Sequence, residues 1–413
     1  MTAEIAVLNR FGVSMAADSA ITVEVFHDGT VRSKVYNSAN KIFSLSKFAP
    51  VGVMFYNAVS LSGVPWETII KSYRHSLKDN TFDRLEDYCK DFFDFLTSSP
   101  DIFHQSAIEQ VLANSLLRYF YRHFAGGKTR KEFIEKLDQL YDALEQTPIV
   151  PDFGEEHAAR VFRENKTAIM SSIELVVKSS YTRGNKRKIE QLCIRLLSRK
   201  NVIASHSGIV FAGFGDKEYL PVLKEYVIDF HTGDKVRCWL NSEECITSEE
   251  RSSIVPFADT EVIRTLIEGI SPSFQEQVFQ SAAKLVLNIP GEVLSAVSEL
   301  TDSQKRAYEQ NAIKVLVDHF TRYKGEMNDF RDRRYKRPIG LSLSSLPVSE
   351  LGQVTEALLN SSQILKRVNP DLETVGGPVD VVTISKGDGL VWIKRKHYFS
   401  PDLNHTFINR YLS

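Results

Sequence analysis

The stretch that decides the reading is Thr2-Ala3-Glu4-Ile5-Ala6-Val7-Leu8-Asn9-Arg10-Phe11-Gly12-Val13-Ser14-Met15-Ala16-Ala17-Asp18-Ser19. Ile5, Val7, Val13 and Met15 alternate with smaller or polar residues, and Asn9-Arg10-Phe11-Gly12 interrupts the run, which predicts two short strands joined by a turn. Thr2 carries a side chain small enough for removal of Met1, which would expose a free α-amino group. A threonine hydroxyl alone is a poor nucleophile and needs an adjacent base. Its own α-amino group can serve, because a pKa of about 7.7–8 leaves a neutral fraction near pH 7. Such a site also needs an ammonium to favour the ionised hydroxyl and a carboxylate to hold that ammonium. Asp18, at the end of the second strand, and Lys41, at the start of a later one, are the candidates.

Outward from this stretch, residues 21 to 27 and 30 to 36 are rich in β-formers and flank Asp28-Gly29, a two-residue hairpin signal. Lys41 to Ser46 and Val51 to Tyr56 predict another strand pair, broken at Phe48-Ala49-Pro50. From Pro65 to about Lys200 the signal is helical: Pro65 suits a first helical turn, and Phe133, Leu137, Leu140, Tyr141 and Leu144 recur at helical spacing. Strands are expected again at Ser207–Phe214, Leu223–Phe230 and Lys235–Leu240. Helices are expected near 258–268, 273–287, 291–324 and 348–366, with a basic, irregular segment over 328–346. Val379–Ser385 and Leu390–Lys396 predict the last strands. Strands segregated from helices argue for an α+β architecture and against a doubly wound sheet.

The chain has 413 residues, 43% hydrophobic and 25% charged, a globular composition able to bury a sizeable core. A formal net charge of −1 supplies no field that would draw it onto nucleic acid or a membrane. The basic runs Arg183–Lys188 and Arg331–Arg337 are read as solvated loops; a nucleic-acid role would require salt-dependent binding. Cys89, Cys193, Cys238 and Cys245 form no CxxC pair, no metal-ligand spacing is visible, and no cofactor motif is present, since neither Gly213-Phe214-Gly215 nor Gly376-Gly377 fits a phosphate-binding loop. No HExxH and no GxSxG context is found. Met1-Thr2-Ala3-Glu4 lacks a basic n-region and an apolar h-region, and no apolar run approaches 18 residues, so a cytoplasmic protein without a signal peptide or membrane span is expected.

The pattern of Thr2, a short strand, a turn at Phe11-Gly12 and then Ala16-Ala17-Asp18-Ser19 resembles the opening of proteasome β-type subunits, which are N-terminal nucleophile hydrolases. In that family a carboxylate stands sixteen residues after the nucleophilic threonine, as Asp18 does from Thr2, and a lysine followed by two apolar residues begins the next core strand, as Lys41-Ile42-Phe43 does. Val51–Met54 followed by Val64–Thr68 resembles the family's strand-to-helix passage. Ile209–Gly213 with Tyr226–Gly233 resembles its central strand pair. Asp371 followed by Gly376-Gly377-Pro378-Val379-Asp380 resembles the segment carrying its late Asp and Ser, with Thr374 the nearest hydroxyl. The resemblance covers roughly half of the chain. It implies an αββα sandwich formed by 1–64 and 201–413, with residues 65–200 as a helical insertion emerging from one edge. It implies threonine-dependent hydrolysis of peptide amides by Thr2, Asp18, Lys41 and Asp371, with backbone N–H groups near Tyr56 and Asn57 binding the oxyanion.

The chain departs from the family in several places. Ala3 replaces a second threonine, the hairpin between Asp18 and Lys41 is longer, and Phe55-Tyr56-Asn57-Ala58 lacks the glycine usual in the oxyanion turn. An inactive, proteasome-like scaffold is therefore the alternative, with the insertion binding a partner protein. Asp18 read by itself is a turn cap with Ser19, and Lys41 a solvated strand end. Lys34 competes with Lys41, lying thirty-two residues after Thr2 as the family's lysine does, but it sits inside the Asp28-Gly29 hairpin. Phe92, Phe93, Phe95, Leu116, Leu117, Phe120 and Phe124 predict either a small core within the insertion or a subunit interface of a homo-oligomer.

Overall fold

The computed structural model describes residues 3–27, 30–124, 129–177, 183–200, 206–368, 376–397, 399 and 401–406. The opening stretch forms the expected hairpin of β1 (Ala3–Asn9) and β2 (Gly12–Ala17), with Asn9 opposite Gly12. Every residue of both strands is buried. Strand side chains alternate between faces, so Ala6, Leu8, Val13 and Met15 enter one apolar cluster while Ile5, Val7 and Ala16 enter another.

β3 (Ile21–His27) and β4 (Thr30–Tyr36) pair as a separate two-stranded ribbon, with His27 opposite Thr30. Asp28-Gly29 itself lies outside the described residues. β5 (Ile42–Ser44) and β6 (Val51–Asn57) follow, then the short pair β7 (Ser60–Leu61) and β8 (Val64–Pro65). The helical stretch comprises α1 (Trp66–Leu77), α2 (Leu85–Ser98), α3 (Gln105–Phe124), α4 (Arg130–Ala143), α5 (Glu155–Glu164), α6 (Lys166–Val177) and α7 (Arg183–Ser198). The chain returns through β9 (Ser207–Gly213), β10 (Val222–His231), β11 (Val236–Cys245) and β12 (Ser252–Ala258). It continues in α8 (Glu261–Glu268), α9 (Pro272–Ser295), α10 (Asp302–Arg331), a π turn at Asp332–Lys336, α11 (Arg337–Leu343) and α12 (Val348–Val368), and closes with β13 (Asp380–Ser385) and β14 (Gly389–Lys394).

The architecture is α+β. One antiparallel sheet runs β12-β1-β2-β13-β14 and the other β11-β10-β9-β6-β5. Ala6, Leu8, Met15 and Ile384 from the first share an apolar cluster with Ile42, Met54, Val210 and Leu223 from the second. Gly52 marks their close approach: a Cβ there would come within 2.6 Å of Met15 and 2.7 Å of Ile384, so only glycine fits without repacking. The other face of the first sheet packs Ile5, Val7 and Val381 on Ile263 of α8, Leu343 of α11 and Leu351 and Leu359 of α12. The other face of the second sheet, through Phe43, Val53, Phe55 and Phe211, shares its cluster with buried residues of α1 to α7. Phe92, Leu116, Phe120 and Phe124 are buried there, and Phe93 and Phe95 pack against it. Most of the described apolar residues of the 65–200 stretch are thus turned inward, onto its own helices and the sheet, with Tyr121, Ile149 and Leu175 left exposed.

Four expectations are corrected. The basic run Arg183–Lys188, read as a solvated loop, forms the first turns of α7, which buries Asn185 and Ile189 on one face and leaves the charges between them outward. The basic segment over 328–346 is helical nearly throughout; apart from the part-buried Arg331, paired with Glu268, its charged residues are largely exposed and only Leu343 is buried, so no apolar period marks it. β12 escapes the strand reading because it holds Pro256. It is an edge strand, where the missing N–H falls without loss to the ladder. The helix boundary also moves: α9 runs through Pro290 to Ser295, and α10 starts at the Thr301–Gln304 capping box. Among the described residues, no helix is long and apolar enough to cross a membrane.

Candidate functional site

The alternation of β1 that buries Ala6 and Leu8 toward the second sheet puts Glu4 on the same face, at the strand's beginning. Lys41 arrives from the other sheet, one residue before β5, its carbonyl accepting the Phe55 N–H at 3.0 Å. Its Nζ lies 2.8 Å from Glu4 Oε1 and 2.5 Å from Asp18 Oδ1. All three side chains are buried, Lys41 at 1% exposure, so Lys41 is no solvated strand end. A buried charge is tolerated only when paired and hydrogen-bonded, and here one ammonium faces two carboxylates.

Asp18 does more than cap a turn. Its backbone N–H donates to the Ala3 carbonyl at 3.2 Å, continuing the β1–β2 pairing to Ala3. Its Oδ2 accepts the Gly376 N–H at 2.9 Å, and its Oδ1 is 3.4 Å from the Ala3 nitrogen. Ser19 continues this tie: its N–H donates to the Gly376 carbonyl at 3.2 Å and its hydroxyl to the Pro378 carbonyl. The Gly376-Gly377-Pro378 segment is thereby held against Asp18. Thr2, Asp371 and Thr374 lie outside the described residues. Asp380, two residues after Pro378, is buried opposite Ala17 and binds Lys396 through the backbone N–H (2.8 Å) and the ammonium. Burial pushes the Lys396 ammonium pKa down, against the pull of Asp380.

The expected oxyanion stretch ends β6. Phe55 donates its N–H toward β5, and Ala58 donates to the His206 carbonyl on the β9 side at 3.3 Å. Backbone groups alternate sides along a strand, so the Asn57 N–H turns to the side of β5 and Lys41. Asn57 takes φ of 65°, a conformation that favours glycine and is next most accessible to asparagine. Its side-chain Nδ2 lies 3.1 Å from His206 Nε2. Burial holds the His206 pKa below the ordinary histidine value, with Glu225 opposing. The Tyr56 side chain leaves the site: its hydroxyl donates to Glu225, which also accepts from Asn241 (2.8 Å) and Ser242 (2.7 Å). Burial, then the Glu225 charge, push the Tyr56 phenol pKa far up. The ring lies over Gly208, where a Cβ would fall 1.9 Å from it. Trp66 Nε1 donates to Ser207 Oγ at 2.8 Å, which donates to the Ala58 carbonyl at 3.1 Å, fixing this strand end to α1.

Lys34 sits apart, exposed on β4, with its ammonium 4.9 Å from the Tyr36 ring centre. Glu4 is the site residue that sequence reasoning missed, although a signal was present: it is the one charged residue of β1, in phase with Ala6 and Leu8. Glu225, His206 and Lys396 carried no such signal, because only the folded sheets bring them near. Among the described residues, no group of three or more His, Cys, Asp or Glu side chains is placed to hold a metal ion. No protein-family model matches the chain, and no curated protein matches it.

Proposed function

We propose that this chain is a threonine-type N-terminal nucleophile hydrolase of the proteasome β-subunit kind, cleaving peptide amides on an αββα sandwich. The carrying observation is the buried Lys41 ammonium between Glu4 and Asp18, in a site that includes Ala3, the residue next to Thr2. The sandwich reading is supported by two antiparallel sheets sharing one apolar cluster, with further clusters joining their other faces to helices.

In this reading, removal of Met1 frees the Thr2 α-amino group. That amine, through a water, takes the hydroxyl proton as Thr2 Oγ attacks the amide carbonyl, and the Asn57 N–H meets the developing oxyanion. The ammonium returns the proton to the leaving amine, and the C–N bond breaks to leave a Thr2 ester. Water, deprotonated by the same amine, then hydrolyses the ester. Lys41 stabilises the alkoxide electrostatically, and Glu4 and Asp18 fix its position.

Intact-mass analysis joined to kinetics tests the proposal. The expected result is a chain that begins at Thr2, reacts with an epoxyketone at both hydroxyl and amine, loses turnover in Thr2→Ala and keeps some in Thr2→Ser. A chain that retains Met1, or a Thr2→Ala variant with wild-type turnover, rules the mechanism out and leaves the scaffold reading.

A further inference from the structure

α9 and α10 form an antiparallel hairpin. Gln275 Nε2 donates to Asn328 at 3.1 Å, the Phe279 and Phe320 rings meet edge to face at 6.3 Å, and Gly291 lies beside Glu309. These contacts define the face each helix turns to the other. Among the described residues of α10 none is buried, and α9 buries only Pro290.

A second apolar stripe runs along each helix. In α9 it consists of Phe274, Val278, Leu285, Ile289 and Val293, of which Phe274 and Leu285 are each 61% exposed. In α10 it consists of Tyr308, Val315, Tyr323 and Phe330, all about half exposed. Four stripe residues stand one position before contact residues: 274 before 275, 278 before 279, 308 before 309, and 330 before Arg331, whose guanidinium donates to Gln275 at 2.9 Å; the other five follow the same helical period. One residue is a rotation of about 100° about the helix axis, to the same hand in both helices. Because the helices run antiparallel, the same hand of rotation puts both stripes on one side of the hairpin. The positions one residue after the contacts form the opposite side, where Glu276, Gln280, Gln310 and Thr321 stand. The hairpin is a two-helix layer with one broad, mainly apolar face and a more mixed opposite one, where Leu287 and Val317 stand exposed beside Gln280 and Gln310.

We propose that this face binds the same face of a second copy of the chain, closing a four-helix bundle across a two-fold axis. The area fits. Nine large side chains, each about half exposed at roughly 100 Å², amount to roughly 900 Å², above an ordinary monomer patch and close to the ~800 Å² each partner gives to a stable interface. Charges on this face are few, as a two-fold contact that sets each charge near its own copy requires: Glu292 and Glu326, five whole turns beyond Phe274 and Tyr308, stand among the nine uncharged stripe positions. With a net charge of −1, the chains do not repel one another at long range. This assigns the self-association surface to α9–α10, away from the 65–200 stretch, whose described apolar residues are mostly turned inward.

Sedimentation velocity on the full chain across micromolar concentrations tests this. The expected mass is that of two chains or an even multiple, and it halves in Leu285→Glu, with dimer affinity weakened at least about hundredfold. Gln280→Glu, on the polar side, leaves the mass unchanged. If melting shows Leu285→Glu to be unfolded, Leu285→Ala replaces it, with an expected weakening of about tenfold. A monomeric wild type, or equal weakening by Gln280→Glu, overturns the proposal. So does Leu285-dependent pelleting of a monomer with phosphatidylcholine–phosphatidylglycerol vesicles.

Discussion

Lys41 Nζ lies 2.8 Å from Glu4 Oε1, a contact between the two sheets made by side chains almost wholly removed from water. Asp18 Oδ1 lies 2.5 Å from the same ammonium, so two carboxylates share one cation. Glu4 stands two residues from the proposed nucleophile, so under the proposed function one arrangement would serve both stability and chemistry.

Removing that cation takes their shared ammonium from two buried carboxylates. Lys41→Ala is expected to lose orders of magnitude in turnover and about 3–5 kcal/mol in stability. Adding Glu4→Gln should restore part of the stability and none of the turnover. Lys34→Ala, which alters only an exposed residue, should change neither. Urea unfolding and steady-state kinetics on the same preparations check this. Turnover that follows Lys34 instead would move the site to the β3–β4 ribbon.

Asn57 holds φ of 65° where β6 ends. A β-branched side chain there is strained by about 1–2 kcal/mol, whereas glycine is not. Asn57→Gly should keep stability within a few tenths of a kcal/mol and retain turnover, and Asn57→Val should lose both. Equal unfolding midpoints for the two variants would contradict the assigned backbone conformation.

His231 predicts how stability responds to acid. It is buried, stacks on Phe103 at 4.4 Å, accepts the Gly233 N–H at Nδ1 (2.9 Å) and lies 3.1 Å from the Leu96 carbonyl at Nε2. Nδ1 as acceptor and Nε2–H as donor define a neutral tautomer, and protonating Nδ1 breaks the Gly233 bond. Burial lowers the pKa of His231, as it does for His157 and His206. The unfolded chain therefore binds more protons as pH falls through about 6.5, and stability present above that value is lost below it. Denaturation midpoints should drop between about pH 7 and pH 5, with a shallower drop in His231→Gln. A flat profile, or an unchanged slope in the variant, would count against the neutral ring.

The sequence by itself determined the local order of this protein. Asn9-Arg10-Phe11-Gly12 split the opening strands, Asp28-Gly29 separated β3 from β4, and the 3.6-residue period beyond Pro65 marked the helices, because turn chemistry and periodicity act over a few neighbouring residues. It also singled out Asp18 and Lys41 by offset and strand position. What it left open needed partners distant in the chain. A charge at position 4 is merely a polar residue in β1 until a lysine thirty-seven positions later crosses from the other sheet to meet it. The 328–346 segment looks irregular because a helix in solvent has no buried face to impose a period. The choice of which apolar surface is core was likewise tertiary: Phe92 and Phe120 have the same chemistry as Phe274 and Phe330, and only packing buries the first pair against the β-sheet cluster while leaving the second in water.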